Sequence, residues 1–478
     1  MTTVSEHYSL GRTQPTLDFV DVPIDGDIRV FVDPRALRLL QSAWGAECVS
    51  LVQSFFRTVL AAIQGDRHED ARRLLRALRE PNETRLGLSR GRPRGRALGP
   101  ESANSVWEAL RHSEAVRSGL LRDLEDTILM VEGIRSDIVS DITTNIIREP
   151  LIRYTQDACR YYGIPMEHDV DSGFLWDQAG HEWRSKYVDL PVAGGRKLLL
   201  VPKAIVRRHM DYSTEEYYND YILEHLREQE LSSNTELVRL LKSGRRRVTK
   251  KDLRTKYGSG KLAIVRETLR KPSLLEDYRR DKRDHVRPPL THEEIAEAEG
   301  TLGPDWDSLL SAALAIPAGR DDSDAYEAAI EALLTAVLYP ALSHPHVQRE
   351  IHDGRKRIDI SYTNGASDGF FHWLGQHYPA ANVFVECKNY SSDPANPELD
   401  QLAGRFSPSR GQFGLLVCRR LENKELFIQR CVDTARDHRG FIVPLDDNDL
   451  ERLVEERKAD YLDLGLPLLR ERFDRLIM

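Results

Sequence analysis

The chain has 478 residues, 40% of them apolar and 30% charged, with a net charge of −8; the length exceeds what one hydrophobic core supports and the apolar content excludes a disordered chain, so two or three globular domains are expected. Five cysteines, far apart and without a Cys-x-x-Cys pair, exclude a disulfide framework and a cysteine zinc site. No run reaches the roughly 18 to 20 uninterrupted apolar residues that span a bilayer, and Met1 to Leu10 is polar rather than an export signal, so a cytoplasmic protein without a membrane partner is expected.

Residues 1–241 read as a helix-rich α+β region. Residues 18–34 form two apolar runs around Asp25-Gly26 and predict two short strands; helices are expected near 35–64, 67–80, 102–132 and 137–162. Asp18, Asp21, Asp25, Asp27 and Asp33 crowd the strand pair. Lacking a basic partner or an ordered ligand spacing, they read as turn and solvent-face residues rather than a metal cluster. From Arg85 to Arg96 arginine alternates with glycine and proline, which excludes a regular element and leaves either a phosphate-contacting loop or a flexible cationic connection. Further on, Gly194-Gly195 centres a hairpin, and a helix from about Ser213 to Gln229 carries Tyr217, Tyr218, Tyr221, Ile222 and Leu226 on a packing face.

Residues 242–300 form a separate segment, a basic charged linker or a nucleic-acid-contacting strip. Between Lys242 and Arg287, 17 Lys or Arg face 6 Asp or Glu, a local +11 that leaves −19 for the rest. Arg245, Arg246, Arg247, Lys250, Lys251, Arg254 and Lys256 are the candidate contacts, because phosphates neutralised by such cations release condensed counterions. Gly258-Ser259-Gly260-Lys261 is not a phosphate loop: Thr255 occupies the first glycine position and Leu262 the Ser/Thr position. No nucleotide-hydrolysing motor is expected. Pro288-Pro289, followed by a Thr291 cap with Glu294 three residues on, closes the segment.

Residues 301–478 predict, in order, helix 324–339, strand 346–352, an Asp353-Gly354 turn, strand 355–362, strand 382–388, helix 397–405, strand 412–419, helix 424–437, strand 440–444 and helix 447–457. Asp359 ends one strand, and Val383-Phe384-Val385-Glu386-Cys387-Lys388 ends another. With side chains alternating, Glu386 and Lys388 share one sheet face and Cys387 takes the other. Two converging carboxylates suit a hard divalent cation, and an adjacent amine suits the attacking water of phosphodiester hydrolysis. Glu-x-Lys recurs at Glu422 and Glu456, but there in polar, helix-like stretches rather than at the end of a β-branched strand.

Over about residues 320–456 this layout resembles the PD-(D/E)xK nuclease superfamily, the restriction-endonuclease-like fold, and within it the Mrr-like branch. The resemblance matches Asp359 to the family's first acid, Glu386 to the second, Lys388 to the lysine and Gln401 to the branch's glutamine. Ile358 stands where the family often has proline. It implies a multidomain protein whose α/β nuclease domain with a mixed central sheet follows a mostly helical regulatory or sensor region. The implied activity is a Mg²⁺-dependent endodeoxyribonuclease, with Mn²⁺ as substitute. Asp359, Glu386, the Cys387 carbonyl and Glu327 would ligate the metal, with Glu331 the alternative to Glu327. Lys388 would hold or deprotonate the water and Gln401 would position Lys388 or the phosphate. By analogy with fused nucleases of this type, the implied setting is bacterial restriction or anti-phage defence, with DNA as substrate, RNA left open, and a homodimer or larger assembly with further defence proteins. The competing settings are repair, recombination or transposition, and a non-catalytic nucleic-acid-binding scaffold.

Overall fold

The computed structural model of the chain describes residues 2–40, 42–87, 100–285, 287–351, 356–459 and 464–478. Two large hydrophobic cores organise them, one drawn from residues 4 to 295 together with Tyr339 and one from 313 to 476, with a third, small cluster of Ile152, Leu175, Leu190 and Leu199.

The helix Ala43–Gln64 runs through the first core. Cys48, Leu51, Val52, Phe55, Phe56, Val59, Leu60 and Ile63 are buried on it at helical spacing, and Ser42 caps its start by accepting from the Gly45 amide at 3.1 Å. Among the described residues this is the one helix long and apolar enough to cross a bilayer, and its apolar stripe is spent on the core. The single helix expected over 35–64 is broken into Pro34–Leu39 and Ala43–Gln64. At the break Leu40 lies so close to Gly45 that a Cβ there would meet the Leu40 Cβ and carbonyl oxygen at 2.7 Å. The helix expected over 102–132 is likewise divided, into Pro100–Arg111, Glu114–Arg117 and Asp126–Met130.

The expected strand pair around Asp25-Gly26 is absent. Phe31–Val32 pairs instead with Val206–Arg207, and Phe19 bridges Pro202. Phe19, Val20, Asp21 and Val22 are buried at consecutive positions, as are Ile24, Ile28, Val30 and Val32, so this stretch needs cover on both faces, which an isolated hairpin cannot supply. The aspartates follow suit. Asp21 accepts from the Ser5 amide at 2.8 Å, Asp18 accepts from the Tyr154 hydroxyl at 2.8 Å, and Asp33 caps Pro34–Leu39 through the Arg35 amide at 2.9 Å. All three are buried hydrogen-bond acceptors and not solvent-face residues. Residues 88–99 of the arginine-rich loop lie outside the described residues, while Arg85 at its root is buried.

Residues 242–300 are not a linker. Their helices Lys250–Tyr257, Lys261–Arg270, Ser273–Asp284 and His292–Glu299 place Leu253, Ile264, Val265, Leu275, Tyr278 and Ile295 in the first core. Cations dominate the sequence there, but each helix keeps a narrow apolar stripe, and the stripe decides where it packs.

The second core surrounds a mixed five-stranded sheet. Leu342–Ile351, Lys356–Asn364 and Asn382–Lys388 form an antiparallel meander; Phe413–Cys418 and Phe441–Leu445 then add in parallel. The strands lie where apolar alternation puts them. Phe413–Cys418 is buried at every position, as a strand covered on both faces must be. The expected Asp353-Gly354 turn falls outside the described residues. Helices Trp306–Leu314, Gly369–His377 and Pro467–Ile477 were not expected. The start of the second of these is held at Gly369, whose φ of +74° and close approach to the Leu464 carbonyl leave no room for a side chain.

Candidate active site

Asn382–Lys388 is the central strand, paired with Lys356–Asn364 in the register Ile360↔Val385. One step further along this antiparallel ladder stand Asp359 and Glu386, side by side on adjacent strands. Asp359 Oδ2 accepts from the Cys387 amide at 2.9 Å. Glu386 has no exposed surface. Its Oε1 accepts from Lys388 Nζ at 2.6 Å and from Gln401 Nε2, and its Oε2 accepts from Arg405 Nη1 at 2.6 Å. Asp359, Glu386, Lys388 and Gln401 are therefore gathered at one end of the sheet.

Burial, and then the Asp359 charge, push the Glu386 carboxyl above its ordinary range, opposed by Lys388 and Arg405. Burial by itself would lower Lys388, but Glu386, hydrogen-bonded to it, and then Asp359 raise it. Lys388 is thus held as an ammonium ion at neutral pH, a donor and point charge without a lone pair to take up a proton.

Arg405 escaped sequence reasoning. It is buried at 5% exposure, and its guanidinium is the one that closes on the Glu386 Oε2. The available signal was its spacing: Arg405 follows Gln401 by four residues, just past the Gly404 cap of Asn396–Ala403, so both can reach the same side.

The two candidate glutamates of helix Ser323–Leu338 separate clearly. Glu331 is fully buried, accepts from Thr335 Oγ1 at 2.9 Å and pairs with Arg12 of the N-terminal region at 2.5 Å. Glu327, one turn earlier on the same helix, is half-buried, and its charge adds, after burial and Asp359, to the raising of the Cys387 thiol. Among the described residues no three His, Cys, Asp or Glu side chains converge on a common point, so Glu327 does not close a ligand shell with the two acids in this conformation.

The donor set suits a hard cation all the same. A carboxylate oxygen offers two lone pairs, and Arg405 occupies one of those on Oε2. Asp359 Oδ1 and the Cys387 carbonyl supply further oxygens, and an all-oxygen set on two acids is what Mg²⁺ prefers.

The seven basic candidates of the strip do not act as one group. Lys256 pairs with buried Glu230 at 2.6 Å, Lys250 with Asp220 at 3.4 Å, and Arg254 donates to Asn219 at 2.7 Å. Arg245, Arg246 and Arg247 lie on an exposed hairpin, Arg239–Leu240 paired with Arg246–Arg247, and Lys251 is exposed on the helix that follows.

Residues 9–213 are similar to a family described as a domain of unknown function, DUF8370. No curated protein and no solved structure matches the chain.

Proposed function

We propose that the chain is a metal-dependent endonuclease that hydrolyses phosphodiester bonds of DNA, built on a PD-(D/E)xK-type domain over residues 301–478. One arrangement carries the reading: Asp359 and Glu386 abreast on neighbouring strands, with the Lys388 ammonium on Glu386 at 2.6 Å. Two acids and one amine at a sheet end have no packing reason to be there, because burial penalises the charge on Glu386. The antiparallel meander followed by parallel strands agrees with the fold that the motif implies.

Asp359, Glu386 and the Cys387 carbonyl would hold Mg²⁺, with Mn²⁺ as substitute. Bound there, the ion supplies Lewis acidity toward the scissile phosphate and lowers the pKa of water. Lys388, fixed by Glu386, orients the attacking water by donating to it and offsets negative charge growing on the phosphorane, which preorganised charge does best in a water-poor site. Gln401 and Arg405 hold Glu386 in place and keep its charge tolerable. Defence against foreign DNA, in the cytoplasm of a bacterium, is the setting we infer from the domain pairing alone.

The test is incubation of the purified protein with supercoiled plasmid, linear DNA and RNA in Mg²⁺, Mn²⁺ or EDTA. Nicking or linearisation of plasmid in either metal, absent in EDTA and lost in Lys388→Ala, is the expected result. A Lys388→Ala protein that cuts at the wild-type rate would end the assignment.

A further inference from the structure

The hairpin Arg239–Leu240/Arg246–Arg247 presents apolar side chains where the fold gains nothing from them. Leu240 is 74% and Leu241 41% exposed, at the tip of a turn closed by the Gly244 amide on the Leu241 carbonyl at 2.9 Å, with Gly244 at φ +77°. Around them Lys242, Arg245, Arg247 and Lys251 are exposed and have no acidic partner among the described residues. The base of the hairpin is firm: Val248 is buried, Arg239 pairs with Asp252 at 3.2 Å, and Arg246 donates to the Leu231 carbonyl at 3.5 Å.

We propose that this hairpin docks duplex nucleic acid, with Lys242, Arg245, Arg247 and Lys251 on phosphates and Leu240 and Leu241 entering a groove as an apolar wedge that loosens a base step. The charge is complementary to a phosphate backbone, and arginine forks suit paired phosphate oxygens better than a diffuse anionic surface. Leucines inserted between base steps pay for unstacking with the contacts that a bent duplex permits. An anionic bilayer would accept the same cations but requires a wider apolar face than two side chains. The proposal rests on the endonuclease reading only for the choice of nucleic acid as the polyanion; docking requires no cleavage.

The experiment is fluorescence anisotropy of a labelled DNA duplex with the full-length protein in EDTA, alongside a single strand, phosphatidylglycerol vesicles, and a duplex carrying 2-aminopurine, which brightens when unstacked. Arg245→Glu/Arg247→Glu is expected to weaken duplex binding by roughly tenfold or more and to flatten its salt dependence by about two counterions. Leu240→Ser/Leu241→Ser is expected to weaken duplex binding roughly fivefold, leave the salt slope unchanged and abolish the 2-aminopurine signal. These positions are exposed, so unchanged thermal unfolding is the control. Wild-type affinity in the charge variant, an unchanged 2-aminopurine signal in the leucine variant, or hairpin-dependent binding to vesicles but not to DNA would each overturn the proposal. Hairpin-dependent duplex binding in EDTA without plasmid cleavage in Mg²⁺ would instead remove the endonuclease reading and leave the docking intact.

Discussion

Arg405→Ala probes the buried charge that the candidate site is built around. The substitution removes the 2.6 Å contact to Glu386 Oε2 and leaves the fully buried carboxylate with Lys388 and Gln401, both on Oε1. Stripping a buried ion of its partner destabilises by about 3–5 kcal/mol, and the surviving Lys388 contact reduces this to about 2–3 kcal/mol. For a core of this size that corresponds to roughly 5–10 °C in Tm. The loss depends on pH with a definite sign. Glu386 is already held above the ordinary carboxylate range, and losing Arg405 lifts it further. The folded variant then binds this proton more readily than the unfolded chain does, so its stability falls as pH rises above the ordinary carboxylate range. Thermal unfolding of wild type and variant from pH 5 to pH 8 should show a deficit that widens toward pH 8. In a Glu386→Gln background, where no charge remains to be orphaned, Arg405→Ala should cost less than half as much. A deficit that is flat with pH and equal in both backgrounds would refute the argument that Arg405 neutralises Glu386.

Asp359→Ala, Glu386→Ala and Lys388→Ala should each slow plasmid cleavage by a factor on the order of a hundred to several thousand, about 3–5 kcal/mol of transition-state stabilisation, and gel-based rates in Mg²⁺ would expose any that leaves activity intact. Arg12→Ala should destabilise by about 3 kcal/mol, because it strips the cation from fully buried Glu331 and leaves its carboxylate the Thr335 hydroxyl; equal losses with and without Glu331→Gln would refute the pairing. His292 is buried, donates its Nε2–H to the Ala336 carbonyl at 3.0 Å, and is pushed down to about 3 by burial and then by Lys203. The unfolded chain therefore takes up this proton below about pH 6.5 while the folded chain resists it, so acidification from there toward pH 3 removes stability, about 2 kcal/mol by pH 5. His292→Gln should flatten that part of the pH–stability curve, and an unchanged slope would show that His292 is not responsible.

The sequence by itself determined the strands of the second core. Val383, Val385 and the continuous run Phe413–Cys418 are short-range patterns, and a strand's period of two is written in its own residues. The same period put Glu386 and Lys388 on one face, which the 2.6 Å ion pair reflects. Tertiary structure decided whatever depended on a partner distant in sequence. Residues 18–34 resemble a hairpin but are sandwiched between other segments, so Asp18, Asp21 and Asp33 became buried acceptors while Asp25 stayed exposed. The basic strip resembles a linker because charge outnumbers apolar residues, yet a few buried side chains per helix suffice to dock it. Glu331 found its partner in Arg12, more than three hundred residues upstream, and Arg405 joined Glu386 because the strand and the following helix meet in space. Periodicity is a local property of the chain, whereas the partner of a buried charge is set by which surfaces the whole fold brings together.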